Sequence, residues 1–425
     1  MNRKSKIALA LILVIVLFAG VLVPAMAAYP YDRAAITKVL KMPVGTNLPT
    51  TGSFQYVFTP VSVDDIPTTL PPAVPNVTIA MPTTQVACYC VPACAADVVH
   101  YYRESTDLFV GTPWPRAGIY EYSLRETANT ITLPDGENMN YSQAVYRVRV
   151  HVRENLQTGA LSIYTIAVYR INEDNGDPTP GEVKVDPTPG GNPPQYIYSQ
   201  MAFQNIYTKH TGGGGTDPIN RYTLGVTKSV AGNYASSAQY FTFNMTVTRP
   251  SLVTEATTIY KAYVVESGVG LTNIVPNGLA TAGTDAGGAY ANIASGQSFT
   301  FNLKANQRLS FTNTHVGASY SVGETGVAGY IPSVIITTNN VAGPNMVGTL
   351  GGNLMVPTLS SAYPTNPLVG EGNSANRAAF TNTNDGIEEL GLNFSDLPFY
   401  GLILLALGGI VVLTVIKARS RKRYN

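Results

Sequence analysis

The chain reads as an all-β protein made of two β-sandwiches in tandem, and three observations predict it. Short runs rich in Val, Ile, Thr, Tyr and Phe alternate apolar and polar residues with period two, as in YFTFNMTVTR (240–249), where Phe241, Phe243, Met245 and Val247 share one face. The 39 glycines and 29 prolines punctuate these runs as turns between many short strands require. Between the two apolar ends no amphipathic helical pattern appears, and the remaining length is too great for one ordinary core and comfortable for two.

Taken in order, residues 1–28 form a signal peptide: Arg3, Lys4 and Lys6 precede an apolar run from Ile7 to Val23, and Ala25, Met26 and Ala27 close it with small or slender residues. The first sandwich is expected over 29–212, with strands at 54–60, 118–127, 144–153 and 161–171. Its Pro-rich stretch 67–86 is expected to be an exposed loop. A linker, 213–221, follows the glycine run. The second sandwich is expected over 222–386, with strands at 222–230, 240–249, 258–265, 297–304 and 320–325 and a loose insertion at 340–373. A juxtamembrane segment, 387–398, leads to the uncharged stretch 399–416, long enough for one membrane helix. The basic tail 417–425 then sets a cytoplasmic C-terminus and places the bulk of the chain outside the cell.

Charge and composition exclude several classes. The net charge is +1 and the basic clusters belong to the two ends, so no nucleic-acid partner is expected. In YRVRVHVR (146–153) Arg147, Arg149, His151 and Arg153 alternate with apolar residues, which reads as the solvated face of a half-buried strand. Cys88, Cys90 and Cys94 permit one local disulfide in an oxidising exterior, and their segment supplies no further metal ligand. Of the four histidines, His100, His151, His210 and His315, His210 falls in the linking stretch 207–226 and His151 on the polar face of its strand. With no Gly-x-Ser-x-Gly elbow either, the chain is not expected to be a turnover enzyme or to hold a cofactor or metal.

One arrangement occurs twice. Each half carries a lysine in its first strand, a glutamate in a Glu-Thr segment and an asparagine in its last strand: Lys38, Glu126 and Asn205, then Lys228, Glu324 and Asn382. First and last strands of a sandwich can lie side by side, bringing lysine and asparagine together in the core. Burial lowers a lysine pKa and frees the amine as a nucleophile, while it raises that of a carboxyl group, which then holds a proton. A protonated glutamate donating to the asparagine carbonyl would polarise it, and amine attack with loss of ammonia would leave a Lys–Asn amide. For any one residue a surface or turn position is the simpler reading, since lysine and glutamate are rarely buried unpaired. The repeated order favours the chemical reading.

The region 30–386 resembles Gram-positive pilin subunits built of isopeptide-linked immunoglobulin-like domains, the class of the streptococcal backbone pilins. The resemblance is carried by AAITKVLKMPVGTNLPTTGSFQYVFTP, GIYEYSLRET and MAFQNIYTK in the first half, and by LGVTKSVAGNYASSAQYFTFNMTV, GQSFTFNLKANQRLSFTNTHVGASYSVGET and AAFTNTN in the second. It implies tandem immunoglobulin-like sandwiches, Glu126 and Glu324 as the catalytic residues, and cross-links Lys38–Asn205 and Lys228–Asn382. It also implies a structural surface or pilus subunit whose partners are other pilin subunits and a sortase-like transpeptidase. Two departures stand against the pattern. FQNIYT places Gln204 and Ile206 where the family more often has threonines, and no LPXTG motif precedes the C-terminal apolar stretch. The alternative is a membrane-anchored adhesin that binds host, glycan or matrix ligands without covalent polymerisation, with Tyr89, Tyr101, Tyr102 and Trp114 as exposed aromatics of a binding face.

Overall fold

The computed structural model describes residues 32–85, 95–190, 197–211, 217–255, 257–274, 277–356, 367–386 and 397–421. The expected signal peptide, Tyr89, the three cysteines and most of the juxtamembrane segment lie outside the described residues.

The first half contributes eleven strands: β1 (Thr37–Pro43), β2 (Ser53–Val63), β3 (Val77–Ala80), β4 (Thr84–Gln85), β5 (Val98–Glu104), β6 (Gly118–Thr127), β7 (Glu137–Asn140), β8 (Val145–Glu154), β9 (Leu161–Asn172), β10 (Pro178–Val185) and β11 (Ala202–Lys209). They form two sheets, ordered β4-β5-β1-β11-β7 and β10-β9-β8-β6-β2-β3. Period-two alternation builds the core between them: on β8, Tyr146, Val148, Val150 and Val152 are buried while Arg147, Arg149 and His151 look outward. Arg147 pairs with Glu182 and Arg149 with Asp65, so the basic stripe is a solvated, ion-paired face.

The second half contributes β12 (Leu224–Ala231), β13 (Phe241–Thr248), β14 (Ile259–Glu266), β15 (Val269–Gly270), β16 (Gly283–Asp285), β17 (Gly288–Ala294), β18 (Ser298–Leu303), β19 (Gln307–Phe311), β20 (Ser319–Glu324), β21 (Ile331–Thr338), β22 (Val341–Val347), β23 (Leu354–Val356) and β24 (Arg377–Thr383). The order is β16-β17-β14-β19-β12-β24-β21-β22, with β15 on β14, facing a sheet β18-β13-β20-β23. Each half encloses its own apolar core, one drawn from residues 34–207 and the other from 224–380. The fold is all-β, in immunoglobulin-like sandwiches.

In both halves the first and last strands pair in parallel, β1 with β11 and β12 with β24, whereas the other pairings are antiparallel. The register sets Lys38 opposite Phe203 and Leu40 opposite Asn205; in the second half Lys228 lies opposite Phe380 and Val230 opposite Asn382. Lysine and asparagine therefore share the inward face of their sheet, two positions apart, in both halves.

Several expectations need correcting. The Pro-rich stretch is not a free loop, because Val77–Ala80 pairs along β2 and Val74, Ile79 and Met81 are buried. The insertion 340–373 likewise supplies β22 on the edge of β21 and β23 on the edge of β20. Edge strands accept prolines and glycines where their N–H groups face outward, which disguises them as loops. Tyr102 is buried and stacks on Tyr198 at 5.2 Å between ring centroids, and Trp114 is partly buried against Tyr120 at 4.8 Å, so these two are not an exposed aromatic face.

His210 is not free in a linker either. Its Nε2 lies 3.1 Å from His315 Nε2. Beside it Thr211 N–H donates to the Thr314 carbonyl, Val316 N–H donates to the Lys209 carbonyl, and Lys209 pairs with Glu371.

The one α-helix of the described residues, α1 (Leu397–Arg421), is uncharged from Gly401 to Ile416 with its Leu, Ile and Val side chains exposed. Its 25 residues extend about 38 Å, enough to cross the ~30 Å hydrocarbon core of a bilayer.

Candidate functional site

The strand registers carry Lys38 and Asn205 into the first core from one sheet, and Glu126, opposite Tyr56 in the pairing of β6 with β2, comes from the facing sheet. Lys38 Nζ donates to Glu126 Oε1 at 2.9 Å and Oε2 at 2.8 Å, and Asn205 Nδ2 donates to Oε1 at 2.9 Å. In the second half Glu324, opposite Phe243 on β13, receives Lys228 Nζ at 2.9 Å and Asn382 Nδ2. All six residues are buried, with 8% exposure at most. The structure thus brings together each predicted trio and keeps the two trios apart, one in each core.

Burial is what gives these groups unusual proton affinities. Lys38 and Lys228 are each lowered to about 8 by desolvation, with the adjacent glutamate opposing the shift. Glu126 and Glu324 are raised, again chiefly by desolvation and against the pull of the lysine. An unpaired charge here would cost more than any one core side chain contributes, so each lysine and glutamate depends on the other. Shifting the proton from amine to carboxylate leaves both neutral, with a nucleophilic nitrogen beside an amide.

Aromatic rings complete each enclosure. Lys38 Nζ stands 4.3 Å from the Phe54 ring centroid, and Phe203 packs on Tyr56 and Tyr146 at 4.9 and 5.1 Å. Lys228 Nζ stands 3.8 Å from Phe241, and Phe243 packs on Phe380 at 5.1 Å. A signal for these was present, since Phe54/Tyr56 and Phe241/Phe243 occupy matching alternate positions of the second strand in each half.

Two further residues of the first site were not anticipated. Asn205 Oδ1 accepts the backbone N–H of Ser142 at 2.7 Å, and Ser142 Oγ donates to the half-buried carboxylate of Asp174 at 2.6 Å. The amide is therefore turned with its nitrogen, not its carbonyl, toward the glutamate, because a backbone N–H can only face an acceptor. Lys41, three residues from Lys38, is only half-buried and belongs to neither trio. Among the described residues no group of three or more His, Cys, Asp or Glu side chains is placed to hold a metal.

The family described as a domain of unknown function (DUF7601) matches residues 222–353. No curated protein matches the chain. Among solved structures, the major pilin of Streptococcus pyogenes is similar at 16% identity over 83% of this chain and 98% of that chain, with a TM-score of 0.29. A point mutant of the same pilin aligns at 16% identity over 83% and 99%, with a TM-score of 0.31. A pilus-presented adhesin aligns at 12% identity over 83% and 99%, with a TM-score of 0.23. Values this low do not carry function from one chain to another.

Proposed function

We propose that each sandwich closes a covalent bond across its own core, Lys38 to Asn205 and Lys228 to Asn382, and that the chain is a load-bearing structural protein of the cell surface. The observation that carries this reading is the duplicated buried trio on a parallel first-strand to last-strand pair. In the reaction the neutral lysine amine attacks the asparagine Cγ, the C–N bond to the side-chain amide nitrogen breaks, and ammonia leaves. The amine loses a proton and the leaving nitrogen gains one, so a carboxyl group in contact with both nitrogens balances the exchange. Glu126 and Glu324 take that role, and each acts once on its own domain.

Mechanics gives the bond its use. Pulling on the ends of a sandwich shears its parallel first and last strands past each other, and an amide between them routes force past the intervening chain with no redox requirement. The apolar helix α1 suits an anchored stalk whose folded part faces outward. Assembly with other subunits through a sortase-like transpeptidase is the polymeric form of this proposal, and a membrane-held monomer is the form that needs no sorting motif.

Single-molecule extension tests the function. Cross-linked domains should reach the rupture force of the handles without unfolding. A Glu126→Ala chain should release the segment between Lys38 and Asn205, an extension on the order of 500 Å. Wild-type domains that unfold at ordinary forces would remove the load-bearing reading.

A further inference from the structure

The two sites match in lysine, glutamate and asparagine but differ around the asparagine carbonyl. In the first, Asn205 Oδ1 accepts the Ser142 backbone N–H at 2.7 Å. In the second, Asn382 Oδ1 is buried with no hydrogen-bond partner among the described residues. Ser142 sits in the short connection between β7 and β8, and Asp174, beyond the end of β9, ties that connection down. The Asp174 Oδ1 accepts Ser142 Oγ at 2.6 Å and the backbone N–H of Gln204 at 2.8 Å, while the Asp174 carbonyl accepts the Gln143 N–H at 2.9 Å. Gln204 immediately precedes Asn205, so one carboxylate fixes both the donor and the strand that presents the acceptor.

This geometry matters to the reaction because charge develops on that oxygen. Attack by the Lys38 amine on Asn205 Cγ turns the carbonyl into a tetrahedral centre whose negative oxygen is Oδ1. A preorganised N–H aimed at it lowers the barrier, and collapse of the centre re-forms C=O as the nitrogen leaves as ammonia with a proton from Glu126. Resting on the bond-forming reading above, we infer that the Ser142 backbone N–H is the oxyanion donor of the first site, that Asp174 is its positioning residue, and that the second site works without this donor. The turned amide divides the labour: the glutamate handles the protons of both nitrogens, and Ser142 polarises the carbonyl.

Asp174 also carries charge beside the reacting pair. It faces Lys38 and Lys41 on β1, Glu126 on β6, Tyr56 on β2 and Tyr146 on β8. Its negative charge raises the proton affinity of Lys38 and of Glu126 alike. An asparagine at this position keeps the accepting oxygen and removes the charge, which separates positioning from electrostatics.

The test uses full chains made by cell-free synthesis, quenched in denaturant at intervals and digested, with the Lys228–Asn382 bond of the same chain as internal clock. Ser142→Pro, which deletes the donor, should slow the Lys38–Asn205 bond by about 100–1000-fold. Ser142→Ala and Asp174→Ala, which loosen it, should slow the bond by about tenfold or more while the second bond keeps its rate. Asp174→Asn should restore the rate and move the pH profile of the first bond to lower pH. Wild-type rates in folded Ser142→Ala and Asp174→Ala chains would overturn the inference. If Asp174→Ala fails to fold, as protease sensitivity of the first half would reveal, Ser142→Ala decides, since it removes one hydroxyl only. Wild-type chains that lose no ammonia in either domain would instead remove the bond-forming reading, and this inference with it.

Discussion

Lys38 and Asn205 point inward from neighbouring parallel strands, two register positions apart, and Lys228 and Asn382 repeat that relationship. In both pairs a glutamate from the facing sheet accepts hydrogen bonds from the amine and from the amide. The repeat makes each domain an independent copy of one experiment, and the consequences can be separated domain by domain.

Glu126→Ala should abolish the bond of the first domain only, and Glu324→Ala that of the second only. Peptide mapping would find one cross-linked pair in each variant and neither in the double variant. Loss of both bonds from a single substitution would contradict the independence of the sites.

Lys228→Met should leave the second sandwich folded but unlinked, since an apolar side chain of similar length refills the space among Phe241, Phe243 and Glu324. A bond closing a loop of roughly 150 residues restricts the unfolded chain by about 5 kcal/mol in the loop-entropy model. Denaturant unfolding should show a loss of that order, with the first domain unchanged.

Stability of the unlinked first domain should depend on pH in a way that identifies the buried amine. Glu126→Ala strands Lys38 without its partner, whereas Lys38→Met leaves a glutamate that can hold its proton, and both lack the bond. At pH 7 the glutamate variant should be less stable by about 3 kcal/mol. Desolvation already depresses the Lys38 pKa to about 8, below its unfolded value, and losing Glu126 depresses it further. The unfolded state then binds the extra proton, so stability rises with pH through this window and the gap should close by about pH 10. Urea titrations of both variants at pH 7 and pH 10 check it. A gap independent of pH would mean that Lys38 is solvated in the variant.

Bond formation should follow a bell-shaped pH profile. The reactive form carries one proton shared by lysine and glutamate, with the amine neutral and the carboxyl protonated. The rate should fall above about 8, where the pair loses that proton, and fall in acid, where it gains a second. Rates of ammonia loss from pH 4 to 10 would test it, and a rise continuing to pH 10 would show that the carboxyl proton is not needed.

The trios were legible in the sequence because they recur in one order and because period-two alternation fixes which side of a strand faces inward. The parallel pairing of first and last strands then does the rest. Ser142 and Asp174 carried no such signal: a serine and an aspartate in turns are ordinary, and only the folding of two connections onto β11 makes them partners of Asn205. The turn of the Asn205 amide was illegible for the same reason. Edge strands were missed where prolines and glycines break the alternation, as in β10, whose register shifts between Pro178 and Val183, and in β22. Tyr102 and Trp114 looked exposed because composition does not say which face of a segment meets the core; on β5 His100 and Tyr102 both turn inward.

The most direct measurement is the intact mass of the folded region, residues 29–390, with tryptic mapping of the peptides that contain Lys38, Asn205, Lys228 and Asn382. The account predicts a mass short by one ammonia for each domain, with Lys38 joined to Asn205 and Lys228 joined to Asn382 in branched peptides. A mass equal to that of the unmodified sequence, with all four residues recovered in linear peptides, would contradict it.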